Sequence, residues 1–348
     1  MRYVPDTVLK AYNAMPVWTR SAASTMYGLL KQRKEYTPAA RQMLRDLESS
    51  QWWTADQLAS LQSERLSALV RHAAAKVPYY RQMFAEYGLS AGQIQTPADL
   101  PKLPLLTKEI LRARGNELMA EGVTPAALRT ESTSGTTGLP LTVYMNSEAY
   151  LAFKAVQWLQ HGWAGYRHEG EWVGVLAGYR VVPLERRRPP FWITNYAGKM
   201  MHFSTYHLKP DLMPAMVQQL KRSKIQYLIG YPSAISLLAN HMIERGEQHK
   251  LNGIFPSSEP LFAWQEQVMA RAFGCKVYNY YGQGEKAVSG TGCGASANLH
   301  VNMEVCVAEC HETDHDCPQN ERVAIGLEAR RGARLVGLDE RQMRAGAQ

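Results

Sequence analysis

The feature that most constrains this chain is an alternation beginning at Trp172. Short apolar runs at 172–176, 226–229, 253–255 and 276–280 are separated by segments long enough for helices. Strand, helix and strand in succession predict a parallel sheet, because parallel neighbours need a long crossover and a helix is the usual one. The intervening segments carry helix punctuation. Asp211 is placed to cap one and Pro232 to open a second. A third is expected to hold Pro260 in its first turn, bury Leu261, Trp264, Val268 and Ala272, and stop at Gly274. In such sheets ligands collect beyond the carboxyl ends of the strands, so the residues after 229, 255 and 280 are where a site is sought.

The first third reads as helices and loops. Thr54 and Gln57 form a capping-box pattern, and Leu58, Leu61, Leu66, Leu69, Val70 and Ala73 recur at helical spacing until Pro78. Prolines 97, 101 and 104 predict an irregular link leading to a short helix from Glu109. The expected division is a helical region over 1–125, an α/β core over 126–325 that carries the site, and a divergent, disordered tail over 326–348.

Composition removes several classes. Hydrophobic residues at 45% and charged ones at 20% exclude disordered and collagen-like chains, and 348 residues suffice for about two domains. The net charge of +8 is spread out. Its densest cluster, Arg186, Arg187 and Arg188 before two prolines, reads as a solvated basic loop, so no nucleic-acid partner is expected. The longest apolar stretch, 227–243, is broken by Gly230, Pro232, Ser233, Asn240 and His241, and Arg2, Asp6 and Lys10 precede no apolar leader. A cytoplasmic protein without membrane insertion is the expectation, with a homodimer left open.

Two segments carry the chemistry. Thr133, Ser134, Gly135, Thr136, Thr137 and Gly138 pack hydroxyls and glycines into one loop, which suits polyphosphate: the glycines let backbone N–H groups turn inward and the hydroxyls donate. No Lys follows Gly138, and residues 141–144 read as a strand, so this is not the Walker loop. Tyr280, Tyr281, Gly282 and Glu285 leave the last predicted strand with a flat aromatic for a base and a carboxylate for Mg²⁺. Ser257, Ser258, Glu259 and Pro260, and Gly230, Tyr231 and Pro232, follow the two preceding strands.

In this order the segments resemble the adenylate-forming (AMP-binding) enzymes, specifically the phenylacetate–CoA ligase and CapK (capsular polysaccharide biosynthesis) branch. The likeness runs from about Trp52 to about Arg322 and includes residues 77–81, 99–105 and 272–277. It implies that 133–138, with Thr136 and Glu285 as catalytic groups, cradle the β and γ phosphates, and that Glu285 holds Mg²⁺. It further implies that Ser257, Ser258, Glu259 and Pro260 line adenine and ribose, that Tyr281 stacks near adenine, and that Tyr231 and Pro232 border the acyl pocket. ATP, Mg²⁺, a small-molecule carboxylate and a thiol acceptor, commonly coenzyme A, are the implied partners. Trp158, His161, Trp163, Tyr179 and His202 are read as core ahead of ligand contacts.

Cys293, His300, Cys306, Cys310, His311, His315 and Cys317 cluster late in the chain. The resemblance implies a structural zinc at Cys293 and His300; two of Cys306, Cys310 and Cys317, with Cys310 and Cys317 put first, would complete it, and reduced cysteines without metal are the favoured alternative. Past about Ala324 the family pattern stops. No counterpart is found for its Arg-Tyr-x-Thr-Gly-Asp segment or the lid domain bringing a catalytic Lys, so a truncated or frameshifted member is expected. The readings open at this point are a carboxylate-activating ligase, a non-catalytic nucleotide-binding fragment and a zinc-dependent interaction module.

Overall fold

The computed structural model describes residues 15–132, 142–168, 170–284, 286–295, 298–310 and 323–324. Helices α1 (Val17–Glu35) and α2 (Pro38–Ser50) are divided at Thr37, whose hydroxyl accepts from the Ala40 N–H while Pro38 takes the first helical position. Helix α3 (Ala55–Lys76) has the expected capping box: Thr54 Oγ1 accepts from Gln57 N and Gln57 Oε1 from Thr54 N. Val77 then closes α3 and opens α4 (Pro78–Glu86). Leu66, Val70, Met83 and Phe84 pack around Ile94 and Leu100, while Leu69, expected inside, is exposed. The proline-rich link contains a 3₁₀ helix over Pro97–Lys102, a turn compatible with the fixed φ of proline. The Asp99 carboxylate accepts from the Gln95 and Thr96 N–H groups and pairs with Lys102. Helix α5 (Lys108–Arg114) follows, capped by Thr107.

Strands β1 (Arg129–Ser132) and β2 (Thr142–Met145) pair antiparallel, with Ser132 opposite Thr142. The extended conformation expected where a Walker loop would turn helical is therefore present. Helix α6 (Ser147–Trp163), capped by Asn146, leads to the main sheet.

Six strands form it: β3 (Trp172–Leu176), β4 (Trp192–Asn195), β5 (Met200–Phe203), β6 (Ile225–Gly230), β7 (Gly253–Pro256) and β8 (Lys276–Val277). The order is β4-β5-β3-β6-β7-β8, with all neighbours parallel except β4 against β5. Helices α7 (Met213–Arg222), α8 (Pro232–Glu244) and α9 (Ala263–Phe273) cover one face. There Met216, Leu220, Ile235, Leu238, Met242, Met269 and Phe273 enclose Leu228 and Ile254. Val173, Val175, Tyr227 and Phe255 join Tyr166 and Tyr278 in a second core, as period-two alternation requires. The fold is α/β with a helical N-terminal region and a mostly parallel sheet.

Several local expectations need correction. Asp211 does not cap α7; Leu212 occupies that position without a side-chain bond, and Pro214 preorganises the first turn. Pro260 lies before α9, where Phe262 takes the cap position and its N–H donates to Gln265 Oε1. Trp264 is exposed, and Gln265, Met269, Ala272 and Phe273 form the buried side. The run 276–280 is not one strand. After β8 the chain passes through Tyr278, whose N–H donates to Ile254 O, into β9 (Tyr280–Gly282) of a separate antiparallel sheet with β10 (Ser289–Gly292) and β11 (Leu299–Val301).

The edge strand β4 is covered by α1 in an unusual manner. Ser21 Oγ accepts from Thr194 N, Thr25 Oγ1 accepts from Tyr196 N and shares its proton between Ser21 O at 2.8 Å and Thr194 O at 3.5 Å, and Gln32 Nε2 donates to Ala197 O. Gly28 lies so near that a Cβ there would fall 2.4 Å from Asn195 Nδ2. Arg20 is buried, its guanidinium donating to Met15 O and Val181 O. The polar side of this helix faces the protein.

Candidate functional site

The carboxyl ends of β3, β6, β7 and β8 lie along one edge of the sheet because these strands are parallel neighbours. From β3 the chain goes to one side, to β5, and returns on the other to β6, so β3 and β6 flank the topological switch point. Their backbones meet there: Tyr231 N donates to Leu176 O, and Ser257 N to Gly230 O, both at 2.9 Å. Gly230 has φ 157°, and a Cβ on it would lie 2.1 Å from Leu176 O, so only glycine lets the three strand ends converge. Beyond β3, a Cβ on Gly178 would come within 3.0 Å of Tyr231 Oη; Tyr206 donates its hydroxyl proton to Gly178 O.

The structure brings Tyr231, Pro232, Ser257, Ser258, Glu259 and Pro260 to this edge. Ser258 adopts a left-handed φ of 72°. One Glu259 carboxylate oxygen accepts from the Ser233 N–H at 3.0 Å, so this residue ties the loop after β7 to the first turn of α8. His202 meets Tyr179 edge-on near the end of β5, and burial lowers its imidazole to about 4, leaving it neutral at physiological pH.

Tyr280, Tyr281 and Gly282 form β9, with Tyr281 opposite Gly290. Tyr280 packs edge-on against Phe153 of α6, and burial pushes its phenol up to about 12. Both remaining parts of the expected site, 133–138 and Glu285, lie outside the described residues, but the residues beside them are in contact. Lys286 makes a 3.1 Å ion pair with Glu131 on β1 and stands 4.6 Å over the Phe153 ring. The segment carrying Glu285 is therefore anchored to the strand that enters 133–138. Sequence reading gave no hint of Glu131 or Lys286, since an ion pair between distant segments leaves no local pattern. On α6, Lys154 is lowered to about 8 by burial and, less strongly, by repulsion from Lys31 and Lys286, opposed by Glu35.

The aromatic residues divide as their surroundings dictate. Trp158 stacks on Tyr36 with centroids 4.7 Å apart, and Trp163 donates its indole N–H to Gln51, so both serve the core. His161 is buried and its Nδ1 lies 2.9 Å from His168 Nε2; burial holds both rings below their ordinary range, His168 at about 3. Among the described residues no group of three or more His, Cys, Asp or Glu could hold a metal. Cys306 is buried against Ser289 O and Asn302 O, Cys293 Sγ accepts from Ala295 N, and His300 packs edge-on to Trp163. Cys317 and the surroundings of the Cys310 side chain lie outside the described residues.

No family model matches the chain. Among curated proteins it is 23% identical over 309 residues to Protein CapK of Staphylococcus aureus, covering 86% of this chain and 65% of CapK. It is 38% identical over 98 residues to the phenylacetate–coenzyme A ligase of Aromatoleum evansii, covering 28% of this chain and 22% of that enzyme. Against the Pseudomonas putida ligase of the same name the identity is 27% over 227 residues, 64% of this chain and 46% of that one. The matches thus span less than two thirds of the length of these relatives. Among solved structures, 2-hydroxyisobutyryl-CoA ligase in the postadenylation state, in complex with R3-HIB-AMP, superposes with a TM-score of 0.51 at 21% identity, over 68% of this chain and 52% of that one. The chain is a homologue of CapK and the phenylacetate–coenzyme A ligases, and its fold is that of the superposed part of 2-hydroxyisobutyryl-CoA ligase.

Proposed function

We propose that this chain forms the nucleotide-binding core of an AMP-forming ligase that activates a carboxylate. The substrate carboxylate oxygen attacks the α-phosphorus of ATP, the bond to the β-phosphate oxygen breaks, and pyrophosphate leaves an acyl-adenylate. A thiol, with coenzyme A the leading candidate, then attacks the acyl carbon and expels AMP. The observation that carries this reading is the Lys286–Glu131 ion pair. It joins Lys286, next in sequence to Glu285, to β1, the strand that precedes 133–138, while Tyr231 and Ser257 to Pro260 follow the carboxyl ends of the neighbouring strands β6 and β7.

In this reading residues 133–138 bind the β and γ phosphates, and Glu285 is the carboxylate for a Mg²⁺ that enters with ATP, an ion needing only one or two such ligands. Tyr281 and the loop after β7 hold adenosine. Tyr231 and Pro232 border the acyl group, with Gly178 and Tyr206 beside them. Such chemistry relies on positioning and charge neutralisation more than on a general base.

The test is calorimetric titration of the chain with MgATP and AMP, paired with ATP–pyrophosphate exchange over a panel of aromatic and aliphatic acids. Gly135→Val with Thr136→Ala is expected to abolish MgATP binding, and Glu285→Gln to weaken MgATP more than AMP. Unchanged MgATP affinity in the double variant would remove 133–138 from the phosphate site. An equal effect of Glu285→Gln on both nucleotides would remove the metal role.

A further inference from the structure

Helix α1 presents its polar side to β4 and its apolar side to solvent, the reverse of what burial favours for a helix packed on a core. Trp18 is 72% exposed, Met26 65%, Tyr27 66%, Leu29 51% and Leu30 53%, and Tyr196, at the end of β4, is 64% exposed. Trp18, Ala22, Met26 and Leu29 fall on one stripe at four- and three-residue spacing, and with Tyr196 they line a groove of about 440 Å³. Several large apolar side chains side by side on one helix are far more than the scattered singles of an ordinary surface.

The charges around this face have one dominant sign. Lys31, Arg33 and Lys34 are exposed at the C-terminal end of α1. At the other end Val17 packs on Val181 and Val182, from which the chain runs into the loop carrying exposed Arg187 and Arg188. The opposing groups are few. Glu35 is buried, accepts from the Tyr150 hydroxyl and faces Lys31 at 3.8 Å; Glu185 is exposed beside the arginines. Trp and Tyr flanked by Lys and Arg are the side chains that settle at the boundary between headgroups and acyl chains.

The geometry points to the outer face of α1 as a docking surface for an anionic lipid bilayer. The helix lies in the interface plane, with Trp18, Met26 and Leu29 among the acyl chains and the basic groups at both ends on headgroup phosphates. A second copy of this chain on the same face would bring two sets of cations together, which is why an anionic surface is favoured. No crossing of the membrane is involved; among the described residues no helix is long and apolar enough to span one.

The test is flotation of the full chain with phosphatidylcholine vesicles and with vesicles containing one third phosphatidylglycerol, alongside light scattering of the free protein. The chain is expected to float with the anionic vesicles, less so at high salt, and to remain at the bottom with neutral ones. Trp18→Ser, Met26→Ser and Leu29→Ser together should lower partitioning at least about tenfold, and Arg187→Gln with Arg188→Gln by a smaller factor. These side chains are exposed, so melting temperatures should hold; if the triple variant unfolds, Trp18→Ser alone carries the comparison. Failure to float, or flotation untouched by these changes, overturns the inference. So does a dimer in solution that Trp18→Ser dissociates, which would make the face an interface between copies.

Discussion

Helices α7, α8 and α9 meet the sheet through Met216, Ile235, Leu238 and Phe273, whereas α1 meets it through Ser21, Thr25 and Gln32. The first contact draws its strength from apolar area removed from water, at about 25 cal/mol per Å². The second consists of hydrogen bonds that replace those the same groups make to water, each worth about 1 kcal/mol net. The difference teaches what each contact is for. The apolar layer stabilises the sheet, and the polar one fixes where a helix sits along an edge strand whose backbone groups would otherwise be unpaired.

The comparison predicts unequal losses. Leu228→Ala removes a fully buried side chain between α7, α8 and the sheet, and a loss of about 2–5 kcal/mol is expected in denaturant unfolding. A loss below about 1 kcal/mol would mean that this layer repacks freely, and the contrast would fail.

Acid should expose a third kind of contact. The His161–His168 hydrogen bond needs one nitrogen to donate and the other to accept, so full protonation of both rings breaks it. Folded-state values lie below the unfolded value near 6.5, and His168 is at about 3. The unfolded chain therefore binds more protons in that window. Stability contributed by neutral imidazoles is present above about pH 6.5 and lost as pH falls, by up to about 1.4 kcal/mol per unit per histidine. Melting temperature followed from pH 7 to 4 should drop steeply in the wild type and less in His168→Asn. Identical slopes would remove the pair as the cause.

On α1, Thr25→Val deletes the acceptor for Tyr196 N and the donor to Thr194 O, and about 1–2 kcal/mol is expected, with little change in Leu228-region protection by hydrogen exchange. Loss of protection across the whole sheet would show that the two contacts are one cooperative unit. The smallest expected effect on stability is that of Glu131→Gln, within about 1 kcal/mol for a partly exposed pair. The same change should weaken MgATP binding several-fold; unchanged affinity in a folded variant would leave the ion pair as a structural contact.

The parts held by apolar burial are those the sequence made legible. Runs such as 226–229 and 253–255 announce buried strands because nothing else places so many apolar residues together, and Thr54 with Gln57 announces α3. Strands β4 and β5 carry Asn195, Thr194 and His202 among apolar neighbours and show no such run. The division between β8 and β9 was hidden for another reason. The residues 276–280 are uniformly strand-like, and it is the bonds from Tyr278 to Ile254 and from Gly292 to Asn279 that assign its two ends to different sheets. At the site, composition picks out loops at strand ends. The convergence at Gly230 and the Lys286–Glu131 pair are properties of the assembled fold.

The cover that α1 provides also settles the fate of one strand. Thr194 directs its N–H and its C=O outward from the sheet, and both end on hydroxyls of α1. An uncovered edge of this kind is a template onto which a strand from another molecule can add by backbone pairing, whatever its side chains. Helix α1 thus ends the sheet's lateral growth at the β4 edge, and a molecule from which it has peeled away would offer that edge to a neighbour's main chain.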